Sequence, residues 1–175
     1  MSDLLSSIVP GRACEGCTLC CKLLPLRALE KPAFKWCTHC SPSVGCNIYA
    51  DRPGQCAAFK CVFLLDLDLP EEWRPSKSKL VLAVEPSGGG LEVYVEPGRP
   101  HAWREEPYIS GLRQAALRME RAFVTIYVGN RATVLVGDRE IYVGVIGDDE
   151  VVACDGVDAF KLKRDDPRIA NKTDN

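Results

Sequence analysis

Nine of the ten cysteines fall between Cys14 and Cys61, and Cys154 stands alone far downstream. The opening run is Cys14-Glu-Gly-Cys17-Thr-Leu-Cys20-Cys21, followed by Cys37-Thr-His-Cys40, Cys46, Cys56 and Cys61. Two residues between cysteines let a tight turn aim both sulfurs at one ion, with backbone N–H groups directed at the sulfurs. For zinc, Cys17-x2-Cys20 and Cys37-x2-Cys40 are separated by sixteen residues, within the spacing of a tetrahedral four-cysteine site. Starting from Cys14-x2-Cys17 leaves nineteen, which also fits. The other cysteines then supply a second zinc site or bridging thiolates. For an iron–sulfur centre, Cys14-x2-Cys17-x2-Cys20 matches the three-cysteine run that grips a 4Fe–4S cube. The fourth ligand would come from Cys21, Cys37, Cys40, Cys46, Cys56 or Cys61. The paired knuckles account for more cysteines than the three-cysteine run does, which favours zinc over the cluster.

Metal ligation is preferred to disulfides on two grounds. Nine is odd, so complete pairing within the cluster leaves one thiol over. The N-terminus offers Leu4, Leu5, Ile8 and Val9 with no basic residue before them, which is no export signal. The chain is read as cytoplasmic, where thiols stay reduced and a dense cluster points to metal. The longest apolar runs, such as Cys61–Leu65, are far too short to span a bilayer, so no membrane partner is expected.

Composition, at 46 % hydrophobic and 26 % charged, is that of a globular protein. Residues 1–62 hold seven Lys or Arg against four Asp or Glu, leaving −5 in the remainder to reach −2 overall. A basic cysteine-rich module suggests nucleic acid, but two zinc ions held by eight thiolates carry about −4. The basic residues then offset the centre and leave no cationic face for phosphates. Nucleic acid is therefore excluded; metal ions, and a protein partner as a further option, are the partners expected.

The run Cys14-x2-Cys17-x2-Cys20-Cys21, with Cys46-Asn-Ile48-Tyr49-Ala-Asp-Arg52-Pro53-Gly-Gln-Cys56-Ala-Ala-Phe59, resembles the YkgJ-type cysteine-cluster family. That family is described as a zinc- or iron-chelating domain, and the likeness covers residues 14–61. The resemblance implies a ligand role for Cys14, Cys17, Cys20, Cys21, Cys40, Cys46 and Cys56. Cys37 and Cys61 enter the candidate set through their spacing. Because the family includes the flagellin lysine N-methylase, the resemblance also implies methyl transfer as one role. The chain lacks the methylase's long region beyond the cysteine domain. Gly88-Gly89-Gly90 follows a strand but precedes another strand, where a nucleotide-binding loop would open a helix.

The elements that must position these residues divide into a module at 1–62, a domain at 63–160 and a polar, frayed tail at 161–175. The module is turn-rich and poor in apolar residues, a composition that needs a metal or disulfides to fold. In the second domain, strands are expected at Lys79–Glu85 and Leu91–Glu96 around a turn at Pro86–Gly90. A helix entered at Pro107 presents Ile109, Leu112, Ala116, Met119 and Phe123 on one face. Strands follow at Phe123–Val128, Ala132–Val136 and Glu140–Ile146, with Val151–Cys154 a last short one. Gly129-Asn130 and Gly137-Asp138 supply the turns between them. The expected class is α+β: an irregular cysteine-rich metal-binding module, then a mostly antiparallel sheet with one helix, β-β-α-β-β-β.

Other residues carry weaker signals. His39, inside the second knuckle, is read as a solvent-facing turn residue rather than a ligand. Arg52 either donates to a thiolate or, with Pro53, only ends a turn after Tyr49. Cys154, in the apolar run Val151–Ala153, is read as an inert core residue. Trp73 and Trp103 are assigned to covering the domain junction, and His101 receives no role. No catalytic motif is found, and the sequence leaves three functions open: a metal-binding protein without a catalytic centre, an iron–sulfur redox or methyl-transfer component, or a zinc-dependent protein-interaction module. In each, the metal either staples the module or takes part in chemistry.

Overall fold

The computed structural model describes residues 8–14, 16–84, 90–118 and 123–170. They form a mixed α+β fold in which short helices accompany a mostly antiparallel sheet. The chain divides into two units: Met1–Ala83 with Tyr94–Trp103, and Val84–Val93 with Arg104–Asn175. The boundary expected at residue 62 falls inside the first of these.

The first unit carries the nine clustered cysteines on and between short pieces: α1 (Leu19–Leu23), β1 (Cys40–Ser41), β2 (Gly45–Cys46) and α2 (Gly54–Ala58), followed by α3 (Val62–Leu65) and α4 (Pro75–Ser78). Helices of four or five residues have no stability of their own. They are held by side chains reaching their ends. Arg12 is one such tie. Its guanidinium donates to the carbonyl of Phe63, to those of Asp66 and Leu69 at 2.6 Å each, and lies over the Phe63 ring at 4.3 Å. Three carbonyls at and beyond the end of α3 are thereby satisfied. Trp73 and Trp103, expected at a junction, are both buried, at 5 % and 3 % exposure. Among the described residues no helix is long and apolar enough to cross a membrane.

Strands β3 (Leu80–Val84), β4 (Gly90–Val95), β5 (Phe123–Val128), β6 (Arg131–Val136) and β7 (Arg139–Val145) form a five-stranded sheet in that order. In β4, Val93 and Val95 are buried on one face and Tyr94 between them is half-buried. The turn expected at Pro86–Gly90 lies outside the described residues, apart from Gly90. A Cβ at Gly90 would meet the Phe123 ring at 2.7 Å, so only glycine lets that ring lie against the strand.

In the second unit, β5 and β6 pair in continuous antiparallel register from Phe123↔Val136 to Val128↔Arg131, and β6 pairs with β7. The connecting loops are the two-residue turns expected. Gly129 and Gly137 take φ of +59° and +57° at the first loop position, which suits type II′ turns. Helix α5 (Tyr108–Leu117) follows Pro107, and Leu112 and Ala116 are buried as its pattern requires. It is shorter than the periodicity suggests. Met119 lies outside the described residues, and Phe123 is the first residue of β5, its buried ring serving the sheet.

The C-terminal expectation needs correction. Strand β8 (Glu150–Cys154) does not extend the main sheet; it pairs with β9 (Ala159–Lys163) as a separate ribbon, and α6 (Pro167–Ala170) follows. Residues 161–163 are therefore structured. Leu162 is 6 % exposed, while Lys161 and Lys163 on the other face meet Glu150 and Asp149 at 3.4 and 2.5 Å. A single leucine between two lysines conceals a strand's alternation from composition. Cys154 behaves as expected, 4 % exposed and packed with Phe123, Val134 and Val136.

The helix face gives a direct test. Leu112→Ala removes a fully buried side chain and should cost about 2–5 kcal/mol. Leu117→Ala, at a position 63 % exposed, should stay within about 0.5 kcal/mol. Urea unfolding of the two variants reads the difference, and equal losses would contradict the assigned face.

Candidate metal centre

The spacing of the cysteines acts first on the backbone. The two-residue gaps close as tight turns: the Cys17 N–H donates to the Cys14 carbonyl at 3.0 Å and the Cys40 N–H to that of Cys37 at 3.1 Å. A third bond, Cys37 N–H to the Cys21 carbonyl at 3.0 Å, brings the second knuckle to the first run. Cys20 and Cys21 sit in α1, Cys56 in α2, and Cys61 immediately before α3. Cys40 and Cys46 are directly opposed in β1 and β2. The bond from Asn47 N–H to the His39 carbonyl at 2.8 Å makes theirs a non-hydrogen-bonded pair, so their side chains lie close on one face.

Sulfur chemistry follows from this placement. The Cys20 and Cys40 thiols both hydrogen-bond to the Cys21 sulfur. The bond from Cys20 is the largest cause drawing Cys21 down from 9.0 to about 6, and the Cys40 bond and the Lys31 charge add to it against burial. Cys20 is correspondingly pushed up, by that same bond and then by burial. Burial is the main cause raising Cys40 to about 12, with the Cys21 charge next. Cys21 is thus the thiol of this group most readily ionised, with Cys20 and Cys40 as its hydrogen-bond donors. Behind Cys40 stands Thr18, 8 % exposed, whose hydroxyl donates to the Cys40 sulfur and accepts from the Ser43 N–H at 3.0 Å.

The remaining thiols group around these. Cys14, Cys17 and Cys61 line one recess with Phe63 and Arg74. Burial raises Cys61 to about 11. Cys14 is exposed as a residue, yet desolvation of its sulfur raises its thiol as well. Cys56 is raised by burial and by the charges of Cys21, Cys37 and Cys46. Every one of the nine therefore lies within electrostatic reach of others in the set. The knuckles read as one four-cysteine site are arranged differently: Cys20 and Cys40 meet through Cys21, while Cys17 turns toward Cys14 and Cys61. Among the described residues, no three Cys, His, Asp or Glu side chains are gathered so as to surround one ion. In kind, the donors suit a soft, thiolate-held metal.

Two residues that the sequence reading passed over belong to this site. Thr18 is one, and Lys31 is the other: it is 9 % exposed and lies within reach of four of the thiols. Neither stands out by spacing, because a threonine in a turn and a lysine before a proline are ordinary. Arg52 takes neither role proposed for it in full. It donates to the Tyr49 carbonyl at 3.0 Å and stacks over the Tyr49 ring at 3.7 Å, while its charge lowers Cys14 and Cys56. His39 is half-buried. No family model, characterised protein or solved structure matches this chain.

Thr18 supplies the test of this geometry. Thr18→Val preserves shape but leaves the Ser43 N–H without its acceptor and the Cys40 sulfur without its donor. A loss of about 1–3 kcal/mol is expected on denaturant unfolding. Thr18→Ser, which keeps the hydroxyl, should lose less, and a valine variant as stable as the parent would contradict the network.

Proposed function

We propose that this is a cytoplasmic metal-binding protein whose cysteine cluster chelates zinc, with an iron–sulfur cluster as the other centre the thiols accommodate. One observation carries the reading. Between residues 10 and 61 the only buried apolar side chains among the described residues are Leu23, Leu26 and Cys61, and seven of the other cysteines there are half-buried. A segment so poor in buried apolar surface needs another source of folding free energy. Structural zinc supplies about 10–16 kcal/mol in small domains of this kind. The resemblance of residues 14–61 to a zinc- or iron-chelating family implies the same chemistry.

On this reading Cys21 and the thiols bonded to it, Cys20 and Cys40, hold metal together with donors from Cys14, Cys17, Cys37, Cys46, Cys56 and Cys61. The metal's contribution is to draw the thiolates together and fix the short helices that bear them. Because burial keeps Cys14, Cys40, Cys56 and Cys61 protonated, binding must displace their protons, and retention weakens as pH falls. Among the described residues there is no glycine-rich strand-to-helix loop for a nucleotide cofactor, which sets methyl transfer below plain metal binding.

Elemental analysis of anaerobically purified protein tests the reading. Zinc or iron should be retained at neutral pH and released on acidification, and Cys20→Ser should lower the content while Cys154→Ser leaves it unchanged. A broad band near ~400 nm would assign an iron–sulfur centre, whereas colourless protein containing zinc would assign zinc. Folded, reduced protein that holds neither metal would refute the proposal.

A further inference from the structure

Cys40 and Cys46 face each other across the short hairpin of β1 and β2. The register pairs Cys40 with Cys46 and Ser41 with Gly45, and the Asn47 N–H donates to the His39 carbonyl at 2.8 Å. A bond in that place, just beyond the cysteines on the side away from the loop, makes them a non-hydrogen-bonded pair. The Cα atoms of such a pair lie about 4.5 Å apart, with both side chains on one face. A disulfide spans Cα separations of about 4.4–6.8 Å, so this backbone already meets its requirement. The hairpin is also held in place. The Val44 N–H donates to the Ser41 carbonyl, the Ser41 hydroxyl to the Asn47 side-chain oxygen, and the Ser43 N–H to the Thr18 hydroxyl, each at 3.0 Å. Both cysteines are free thiols and half-buried, within reach of a small oxidant.

Two other thiols compete for Cys40. Cys37 is joined to it by a turn, in which the Cys40 N–H donates to the Cys37 carbonyl at 3.1 Å. Cys21, on α1, accepts the hydrogen bond of its thiol. A turn brings two Cα atoms together without directing their Cβ atoms to the same side. Contact between sulfurs on two separate elements leaves the Cα separation free. Direct pairing across strands fixes both the separation and the face, which a disulfide needs together.

We propose that Cys40 and Cys46 are a redox-active dithiol that closes as a cross-strand disulfide, with a small disulfide such as oxidised glutathione as its oxidant. One cysteine, as thiolate, attacks a sulfur of glutathione disulfide, expels one glutathione thiolate and is left in a mixed disulfide. The other cysteine's thiolate then attacks the protein sulfur of that mixed disulfide, forms the Cys40–Cys46 bond and expels the second glutathione. The two cysteine sulfurs give up two electrons in all, glutathione disulfide takes them, and the two thiol protons pass to the departing thiolates. The bond needs no ion, so the assignment stands apart from the metal-binding reading. Where these thiols hold a metal, closing the bond withdraws two donors from it.

Mapping the first disulfide to form tests the assignment. The full chain, reduced and then freed of reductant, is equilibrated anaerobically with graded ratios of oxidised to reduced glutathione, once as purified and once with a chelator. Free thiols are blocked with a light alkylating reagent, and the species carrying a single disulfide is isolated, reduced and labelled with the heavy reagent. Tandem mass spectrometry then locates the heavy label. It should fall on Cys40 and Cys46, in at least one of the two samples, and Cys37→Ser should give the same product at the same glutathione ratio. Cys46→Ser should need a ratio at least about tenfold higher, about 30 mV, before Cys40 enters any disulfide within the chain. Heavy label on Cys40 together with Cys37 or Cys21 overturns the assignment. So does a result in which Cys40 and Cys46 stay thiols in both samples. If a variant fails to fold, the mapping on the parent chain still decides.

Discussion

From residue 10 to residue 61 the chain folds around very little buried apolar surface. Leu23 and Leu26 are the only aliphatic side chains buried there among the described residues, while Cys61 closes one recess and Cys21 collects hydrogen bonds from Cys20 and Cys40. The helices and two-residue strands that bear these thiols are too short to persist unaided. Without a bound ion the bonds to Cys21 are weak sulfur contacts in a partly solvated space. Lys31, Arg52 and Arg74 lie near enough for their charges to act on the thiols.

The second unit solves the same problem conventionally. Its strands β5 and β6 are largely buried, its turns use glycine where φ must be positive, and α5 buries Leu112 and Ala116 while exposing Leu117. Phe123, Val134, Val136 and Cys154 form a core cluster there that requires no metal. A cysteine in that cluster is a small hydrophobe, and its lone Sγ accepts from the Gly156 N–H at 3.5 Å. Cys154 thus differs from the other nine cysteines in its surroundings, packed in an apolar cluster while all but Cys61 of the nine stay partly or fully exposed.

Legibility from sequence follows this contrast. The strands from Phe123 to Val145 were readable to within about a residue because period-two alternation and glycine turns are local signals. The helix was overextended because Phe123 keeps helical phase with Leu112 and Ala116 yet belongs to a strand, and phase alone cannot mark where pairing takes over. The ribbon at Ala159–Lys163 was missed because its lysines hide the buried Leu162. In the cysteine segment, spacing foretold the turns at Cys14–Cys17 and Cys37–Cys40. It did not foretell which thiols meet, since Cys21 joins Cys20 to Cys40 by tertiary placement. Nor did it point to Thr18 or Lys31, whose roles come from burial and not from type.

Amide hydrogen exchange on the reduced protein, before and after chelation of its metal, tests the dependence of the segment on that metal most directly. Protection across residues 10–61 should collapse on chelation and return on adding the metal back, while Phe123–Val136 stays protected throughout. Retained protection across residues 10–61 in the metal-free, fully reduced protein would contradict the central claim, because the thiols would then be holding the fold without an ion.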